Sequence, residues 1–318
     1  MIVNDPAIAY LLKSSDPSIR YYTMTELLEK SPNSKAVKKS KAAIPHGPRV
    51  KVLLTGHKSG FKVHPYQKWT GAHWRLVSLM ELGLPSNDPL VRIACEKVLN
   101  WLTGDAHRKT IPTINGLTRR CGSQEGNALA TCTYFGLAAD HRVKYLADSL
   151  IEWQWPDGGW NCDRDPKTRH SSFYETITPL RGLYKYYQAT GDKTYCDAAE
   201  KAGELFLRHK LFRSEKTGKV INEEWLKLHY PLYWHYDILH GLKILMLLDT
   251  LKDKRGQEAL DIIESKRRLD GTWHAEGYYW YPPGRKEVNS AVVNWGRGGP
   301  NEWITLDALR VLKAAGRW

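Results

Sequence analysis

One short pattern recurs along the chain and limits the folds that it can adopt. The stretches "LIEWQWPDGGW" (150–160) and "IIESKRRLDGTW" (262–273) each place Asp-Gly-x-Trp two or three residues after the end of an apolar, helix-like segment. A more degenerate copy is "VLLTGHKSGF" (52–61), with Phe61 in place of the tryptophan. The separation of the copies fits pairs of helices with their loops, so the pattern predicts a series of helical hairpins.

Between these motifs, periodic apolar residues and their flanking caps predict helices of two kinds. The first kind is apolar over a wide arc, as inner helices are; it covers 70–83, 124–137, 172–190, 234–250 and 302–315. The second kind has a polar face and alternates with the first; it covers 88–102, 141–153, 193–210 and 256–266. The segment 16–29 adds a sixth inner helix, and 34–55 is its outer partner.

This alternation predicts an all-α fold in one domain, residues 1–318: an α/α toroid, or barrel, of about six helical hairpins. The N-terminal hairpin 5–55 resembles a HEAT repeat and forms part of the ring. The helix at 5–13 has no partner before it and the inner helix 302–315 has none after it, so we expect these two to meet and close the ring. A linear solenoid is the alternative, but it does not need inner helices as apolar as 237–248.

Charge and composition narrow the class of protein. The formal net charge of +13 suits an acidic ligand, although the lysines of 34–51 are spread around a helix in the manner of a solvated face. No run of about 18 apolar residues is present, and the N-terminus lacks the features of a signal peptide. We therefore expect a cytoplasmic protein. Five cysteines without a CxxC pair argue against a disulfide framework.

The segment Gln154-Trp155-Pro156-Asp157-Gly158-Gly159-Trp160 resembles the QW motif of the squalene–hopene cyclase and protein prenyltransferase superfamily, whose fold is an α/α toroid. Lys266–Trp273 resembles it more weakly, and the resemblance covers residues from about 50 to 318. It implies that the motif clamps helices together and that Trp160 is structural. The chain departs from the family at Asp163-Arg164-Asp165-Pro166, which lacks the last aspartate of the Asp-x-Asp-Asp acid of squalene cyclases.

Polar side chains gather where the predicted inner helices begin. If the inner helices run parallel, these starts meet at one mouth of the ring, where helix dipoles favour an anion. We expect His73, Arg120, Gln124, Asp163, Glu175, His235, Asp237 and Glu302 to line it. The catalytic candidates are His235, Glu175, Asp163 and Asp237, with His235 and Glu175 preferred for acid/base work. The candidates for substrate binding are His73, Trp74, Arg75, Arg120, Gln124, Asn127, His170, His229, Tyr230, Trp234, Asn301 and Glu302. Ser171, Asp237 and Asn301 also suit plain helix caps.

These residues and the resemblance together predict an enzyme of the terpenoid cyclase or prenyltransferase-like toroid class. We expect it to bind a bulky ligand at the mouth of the ring. Arg75, Arg119 and Arg120 would hold an anionic portion, and the 13 Trp and 17 Tyr suit cation–π contact with a carbocation. One alternative is a carbohydrate-active enzyme, a polysaccharide lyase or glycosidase, on an acidic glycan. Another is a non-catalytic helical binding scaffold.

We expect no cofactor and no metal. A zinc site formed by Cys121, Cys162 and one of His170, His229 or His235 is an alternative, but these ligands are far apart in sequence and include no close-spaced pair. The expected partner is a small molecule or an oligosaccharide rather than a nucleic acid. Peripheral membrane contact and the oligomeric state stay open.

Overall fold

The computed structural model describes residues 5–55 and 63–318 and confirms the prediction of an all-α protein. The degenerate motif copy at 52–61 lies largely outside the described residues. The helices are α1 (Pro6–Leu12), α2 (Pro17–Tyr22, continued as a π-helix over Thr23–Leu27), α3 (Lys35–Ala43), α4 (Pro48–Thr55), α5 (Ala72–Glu81), α6 (Pro89–Thr103), α7 (Asp105–Arg108), α8 (Gly122–Tyr134), α9 (His141–Glu152), α10 (Phe173–Thr190), α11 (Lys193–Arg208), α12 (Ile238–Leu247), α13 (Gln257–Ser265) and α14 (Glu302–Ala314).

Shorter elements connect some of these helices. Single 3₁₀ turns cover Ile44–His46, Glu223–Leu226 and Lys254–Gly256. One antiparallel pair of two-residue strands, β1 (Thr113–Ile114) and β2 (Leu117–Thr118), is present. No described helix has the length and apolar character needed to cross a membrane.

Two predicted helices differ from the structure. The outer helix expected over 34–55 is split into α3 and α4, because Pro45 and Pro48 each lack the backbone N–H that a continuous helix requires. The inner helix expected over 234–250 begins only at Ile238, because Asp237 caps it: the Asp237 carboxylate accepts a hydrogen bond from the backbone N–H of His240 at 2.9 Å.

The apolar helices contact one another in a circuit. Packing contacts run from α5 to α8, α10, α12 and α14 in that order, and α14 then packs against α2 and its π-helical extension. Between α2 and α5, the Ser18 hydroxyl donates to the Leu82 carbonyl at 2.7 Å. The contact expected between 5–13 and 302–315 is present: α1 packs on α14, and the Tyr10 hydroxyl donates to the Pro300 carbonyl at 3.1 Å. These contacts are compatible with a closed ring of hairpins, and the α/α toroid stays a prediction.

The two tryptophans of the repeated motif make equivalent contacts. Trp160 Nε1 donates to the Leu150 carbonyl at 2.9 Å, and Trp273 Nε1 donates to the Ile263 carbonyl at 2.8 Å. The two backbone N–H groups donate to threonine hydroxyls on the following inner helices, Thr176 on α10 and Thr305 on α14. Each tryptophan therefore ties the end of an outer helix to the next inner helix, and both indoles are fully buried.

The polar residues of the first motif extend the same clamp. Gln154 Nε2 donates to the carbonyls of Gly158 and Ala198, both at 2.8 Å, which joins the motif to α11. The Asp157 carboxylate accepts from the backbone N–H and the hydroxyl of Ser171, at 2.7 and 2.6 Å, just before α10. Gly158 has φ 105°, where a side chain would be strained, and a Cβ there would lie 2.4 Å from the Lys201 carbonyl oxygen.

Candidate functional site

Aromatic rings surround the region where α5, α10 and α12 begin. Trp69 stacks on Tyr233 with centroids 4.0 Å apart and meets Trp74 edge-on at 4.9 Å. Trp74 is also 4.9 Å from Tyr66. Trp69 lies 6.1 Å from His235, within the range of edge-to-face packing. We call the set the aromatic belt; its members are Tyr66, Trp69, Trp74, Tyr174, Tyr233, Trp234, His235 and Tyr279.

His235 lies in the belt between two parallel rings. Trp234 is 3.8 Å away on one side and Tyr279 is 3.5 Å away on the other, centroid to centroid. Its Nδ1 is 3.0 Å from the Leu232 carbonyl, which can only accept, so the neutral ring carries its proton on Nδ1. Burial lowers the pKa of His235 to about 4. At neutral pH, therefore, Nε2 offers a lone pair, and His235 is equipped to accept a proton.

A second group of side chains lies beside the belt. Cys121 is the N-cap of α8, Cys162 follows the Trp160 motif and Glu175 is in the first turn of α10. One ligand atom from each of the three lies within 4.8 Å of the others. We call this group the thiol–carboxyl cluster. Gln124, Glu175 and Cys121 all lie near enough to Tyr66 to affect the pKa of its hydroxyl, so the cluster adjoins the belt.

The carboxyl of Glu175 is held in a fixed position. The Ser123 backbone N–H donates to Glu175 Oε2 at 3.0 Å, and Cys162 Sγ lies 3.7 Å from Oε1. Burial raises the pKa of Glu175, while the hydrogen bond between the two thiols lowers the pKa of Cys162. The same hydrogen bond raises the pKa of Cys121. The cluster thus places a carboxyl and a thiol of raised pKa beside a thiol of lowered pKa.

Two of the three arginines expected to hold an anion, Arg120 and Arg75, have polar partners for their guanidinium groups. The third, Arg119, donates through Nη2 to the Thr168 carbonyl at 3.1 Å, and its buried Nε and Nη1 have no hydrogen-bond partner among the described residues. Arg120 donates through Nε to Glu125 at 2.8 Å and through Nη2 to Gln124 at 2.7 Å, and it also contacts His107. Arg75 donates to the backbone carbonyls of Thr70 and Leu53. These contacts fasten loops to helices, and none of them indicates a role in ligand binding.

Several other predicted site residues stabilise helix starts or core packing. Asn301 caps α14 by accepting from the N–H groups of Trp303 and Ile304 at 3.1 Å. Asp237 caps α12 and also accepts from the His229 N–H at 2.9 Å; burial raises the pKa of Asp237 to about 7. Tyr230 stacks on Trp303.

His73 is fully buried on α5 against Tyr66 and Trp74, and burial lowers its pKa to about 3. Neither ring nitrogen of His73 has a hydrogen-bond partner among residues 5–55 and 63–318. Asn127 accepts a hydrogen bond from Arg181 at 2.9 Å. His229 stacks on Tyr279 with centroids 4.4 Å apart, beside the belt.

The expected mouth is thus only partly assembled as one neighbourhood. The structure brings Arg120, Gln124 and Glu175 together, joined to His73 through Tyr66 and to His235 through Tyr174. Glu302 lies apart from them and pairs with Arg49 at 3.3 Å.

Asp163 and His170 are exposed and line an open groove of about 830 Å³ beside the start of α10. Tyr174, Trp225 and Phe173 form its apolar wall, and Arg169, Arg208 and Lys216 are among its charged residues. Tyr174 belongs to both this groove and the belt, since its ring meets Trp234 at 5.7 Å and His235 at 6.2 Å. We call this space the outer groove.

A group of charged residues in the interior was not predicted from the sequence. Lys243 on α12 pairs with Asp307 on α14 at 2.7 Å, and Arg310 pairs with Asp307 at 2.8 Å. Arg181 on α10 contacts Glu81 at the end of α5. The sequence does contain a signal for this group, because each of these charged residues interrupts an apolar inner helix. The predicted site residues lie near helix starts, whereas these charged residues lie further along the helices.

Comparison with known proteins adds little. No protein-family model matches the sequence, and no curated protein matches it significantly. Among solved structures, the chain is similar to the Lin0763 protein of Listeria innocua, with 12% identity and a TM-score of 0.46, over 99% of this chain and 85% of that one. A similarity at this level supports no argument about function.

Proposed function

We propose that the protein is an enzyme of the terpenoid cyclase or prenyltransferase-like class, and that it binds a bulky isoprenoid ligand in the outer groove and along the aromatic belt. The observation that carries the proposal is the position of Tyr174, which joins an apolar groove of about 830 Å³ to a run of stacked rings around a neutral histidine. A groove of this size fits a drug-sized or prenyl ligand.

The aromatic belt suits a ligand that carries positive charge during reaction. The faces of Trp and Tyr rings attract a cation without acting as nucleophiles. His235 would then accept a proton from the carbon next to the cationic centre, and the C–H electron pair would form a C=C bond. A base with a pKa of about 4 is unprotonated throughout the neutral range, so it is ready to accept.

The charges of the groove suit an anionic end of the same ligand. Arg169 and Lys216 line the outer groove. Neither has a carboxylate within 4 Å in the part of the chain that the structure describes, whereas Arg208 is 3.7 Å from Glu215. A diphosphate bound near Arg169 and Lys216 would leave its prenyl chain against Phe173, Tyr174 and Trp225.

Isothermal titration with farnesyl diphosphate, farnesol and an acidic hexuronate oligosaccharide tests this proposal. Tyr174→Leu should weaken binding of both isoprenoids about tenfold, since loss of an aromatic contact of about 1.4 kcal/mol changes the affinity by that factor. The matched control is Tyr187→Leu, a half-buried tyrosine near the other end of α10, which should bind normally. Replacing Arg169 and Lys216 together with Gln should weaken farnesyl diphosphate alone.

Two outcomes would contradict the proposal. Binding of the hexuronate oligosaccharide with no binding of either isoprenoid would favour a carbohydrate-active enzyme. Equal losses in Tyr174→Leu and Tyr187→Leu would show that the groove is not the binding site.

A further inference from the structure

The scaffold brings Cys121 and Cys162 together although 40 residues separate them. The preceding residues, Arg119 and Asn161, form a parallel β-bridge, and the Arg120 N–H donates to the Asn161 carbonyl at 3.1 Å. This pairing places the two cysteines side by side at the start of α8. Glu175 reaches them from α10, which packs closely on α8.

We propose that the thiol–carboxyl cluster is a zinc site, with Cys121 Sγ, Cys162 Sγ and a Glu175 carboxylate oxygen as the three protein ligands. This inference stands apart from the proposed isoprenoid function, because it concerns only the binding of the metal. Three protein ligands leave a fourth position for water or substrate, as in catalytic rather than structural zinc sites.

The distances fit this metal. With Zn–S near 2.3 Å and Zn–O near 2.0–2.2 Å, a tetrahedral site separates a thiolate sulfur from a carboxylate oxygen by about 3.5 Å. The observed distance from Cys162 Sγ to Glu175 Oε1 is 3.7 Å, and all three ligand atoms lie within 4.8 Å of one another. A small rotation of the side chains therefore completes the site.

The chemistry of the ligands selects the kind of metal. Two thiolates favour a soft or borderline ion such as Zn²⁺ over Mg²⁺ or Ca²⁺, which prefer all-oxygen sites. Three anionic ligands in one half-buried place repel one another unless a cation lies between them. The Ser123 N–H donates to the other Glu175 oxygen and so orients the carboxylate. Groups that hydrogen-bond to metal ligands commonly have this effect.

A second pair of thiols in the chain provides the control. Cys95 and Cys132 are also in contact, within the apolar core between α6 and α8, and both are fully buried. Among the described residues, no carboxylate or imidazole completes a metal-ligating group with them. If contact between two thiols were sufficient for zinc, this pair would bind it as well.

Elemental analysis of the full-length protein, reconstituted with Zn²⁺ under reducing conditions and then desalted, tests the inference. We expect about one zinc per chain in the wild type and in Cys132→Ser. Cys121→Ser and Cys162→Ser should each lose the metal, and Glu175→Gln should bind it at least tenfold more weakly in competition with a chromophoric chelator. Circular dichroism checks that each variant is folded.

Substitution of Co²⁺ for Zn²⁺ gives a second readout. A thiolate–cobalt charge-transfer band should appear in the wild type and weaken in Cys121→Ser and in Cys162→Ser. The inference is overturned if the reduced wild type holds no more zinc than Cys121→Ser. It is also overturned if both single variants keep the metal, or if Cys132→Ser loses it while remaining folded.

Discussion

Replacing Trp160 with alanine should lower the free energy of unfolding by about 3–5 kcal/mol, the usual cost of truncating a fully buried tryptophan. The side chain is 1% exposed and lies between α9, α10 and their loops. The substitution also removes the indole N–H that donates to the Leu150 carbonyl at the end of α9. That carbonyl then loses its hydrogen bond to the motif. Denaturant unfolding followed by circular dichroism measures the change.

Trp273 offers an internal check on this result. Because its contacts with Ile263 and Thr305 match those of Trp160 with Leu150 and Thr176, Trp273→Ala should show a loss of similar size. Trp318→Ala, at a half-exposed terminal tryptophan, should show a much smaller one. A Trp160→Ala protein with unchanged stability and altered ligand binding would show that the motif serves the site rather than the fold.

The closest approach of two inner helices predicts the second large effect. A Cβ on Gly126 of α8 would lie 2.3 Å from the backbone nitrogen of Pro179 on α10, and one on Gly182 would lie 2.5 Å from the Gly126 carbonyl oxygen. Backbone atoms cannot move aside as a side chain can. Gly126→Ala and Gly182→Ala should therefore each destabilise the protein by about 3 kcal/mol or more, the upper range for overpacking.

Gly203→Ala on α11 is the matched control for these substitutions. Its Cβ would meet mainly a methyl group of Leu248, at 2.4 Å, and that flexible side chain can turn away. We expect a small effect there, measured in the same denaturant series. Because alanine favours a helix more than glycine does, equal losses at all three glycines would mean that the cost comes from overpacking in general and not from the α8–α10 crossing.

Much of the fold was predictable because its signals are local. Alternating apolar arcs, flanking caps and the Asp-Gly-x-Trp motifs gave most helices to within three residues of their observed ends. In the structure Asp88 and Asp140 cap two of them. The break between α3 and α4 was also readable, since Pro45 and Pro48 lie inside the expected helix. The late start of α12 was readable only in part: Asp237 was named as a possible cap, but the aromatic residues before it continue a helical pattern.

The candidate site was harder, because it depends on contacts between distant segments. Asp237 and Asn301 were suspected both as caps and as site residues, and their hydrogen bonds favour the first role. The third member of the cysteine group was sought among histidines, yet Glu175 occupies that place. Nothing in the spacing of Cys121 and Cys162 showed that a β-bridge would align them.

Native mass spectrometry of the protein purified without added ligand, and again after incubation with farnesyl diphosphate, tests the central claim most directly. We predict a bound isoprenoid in the wild type and in Tyr187→Leu, and its loss or marked reduction in Tyr174→Leu. An oligosaccharide in its place, or no isoprenoid adduct at any concentration below that which denatures the protein, would contradict the claim.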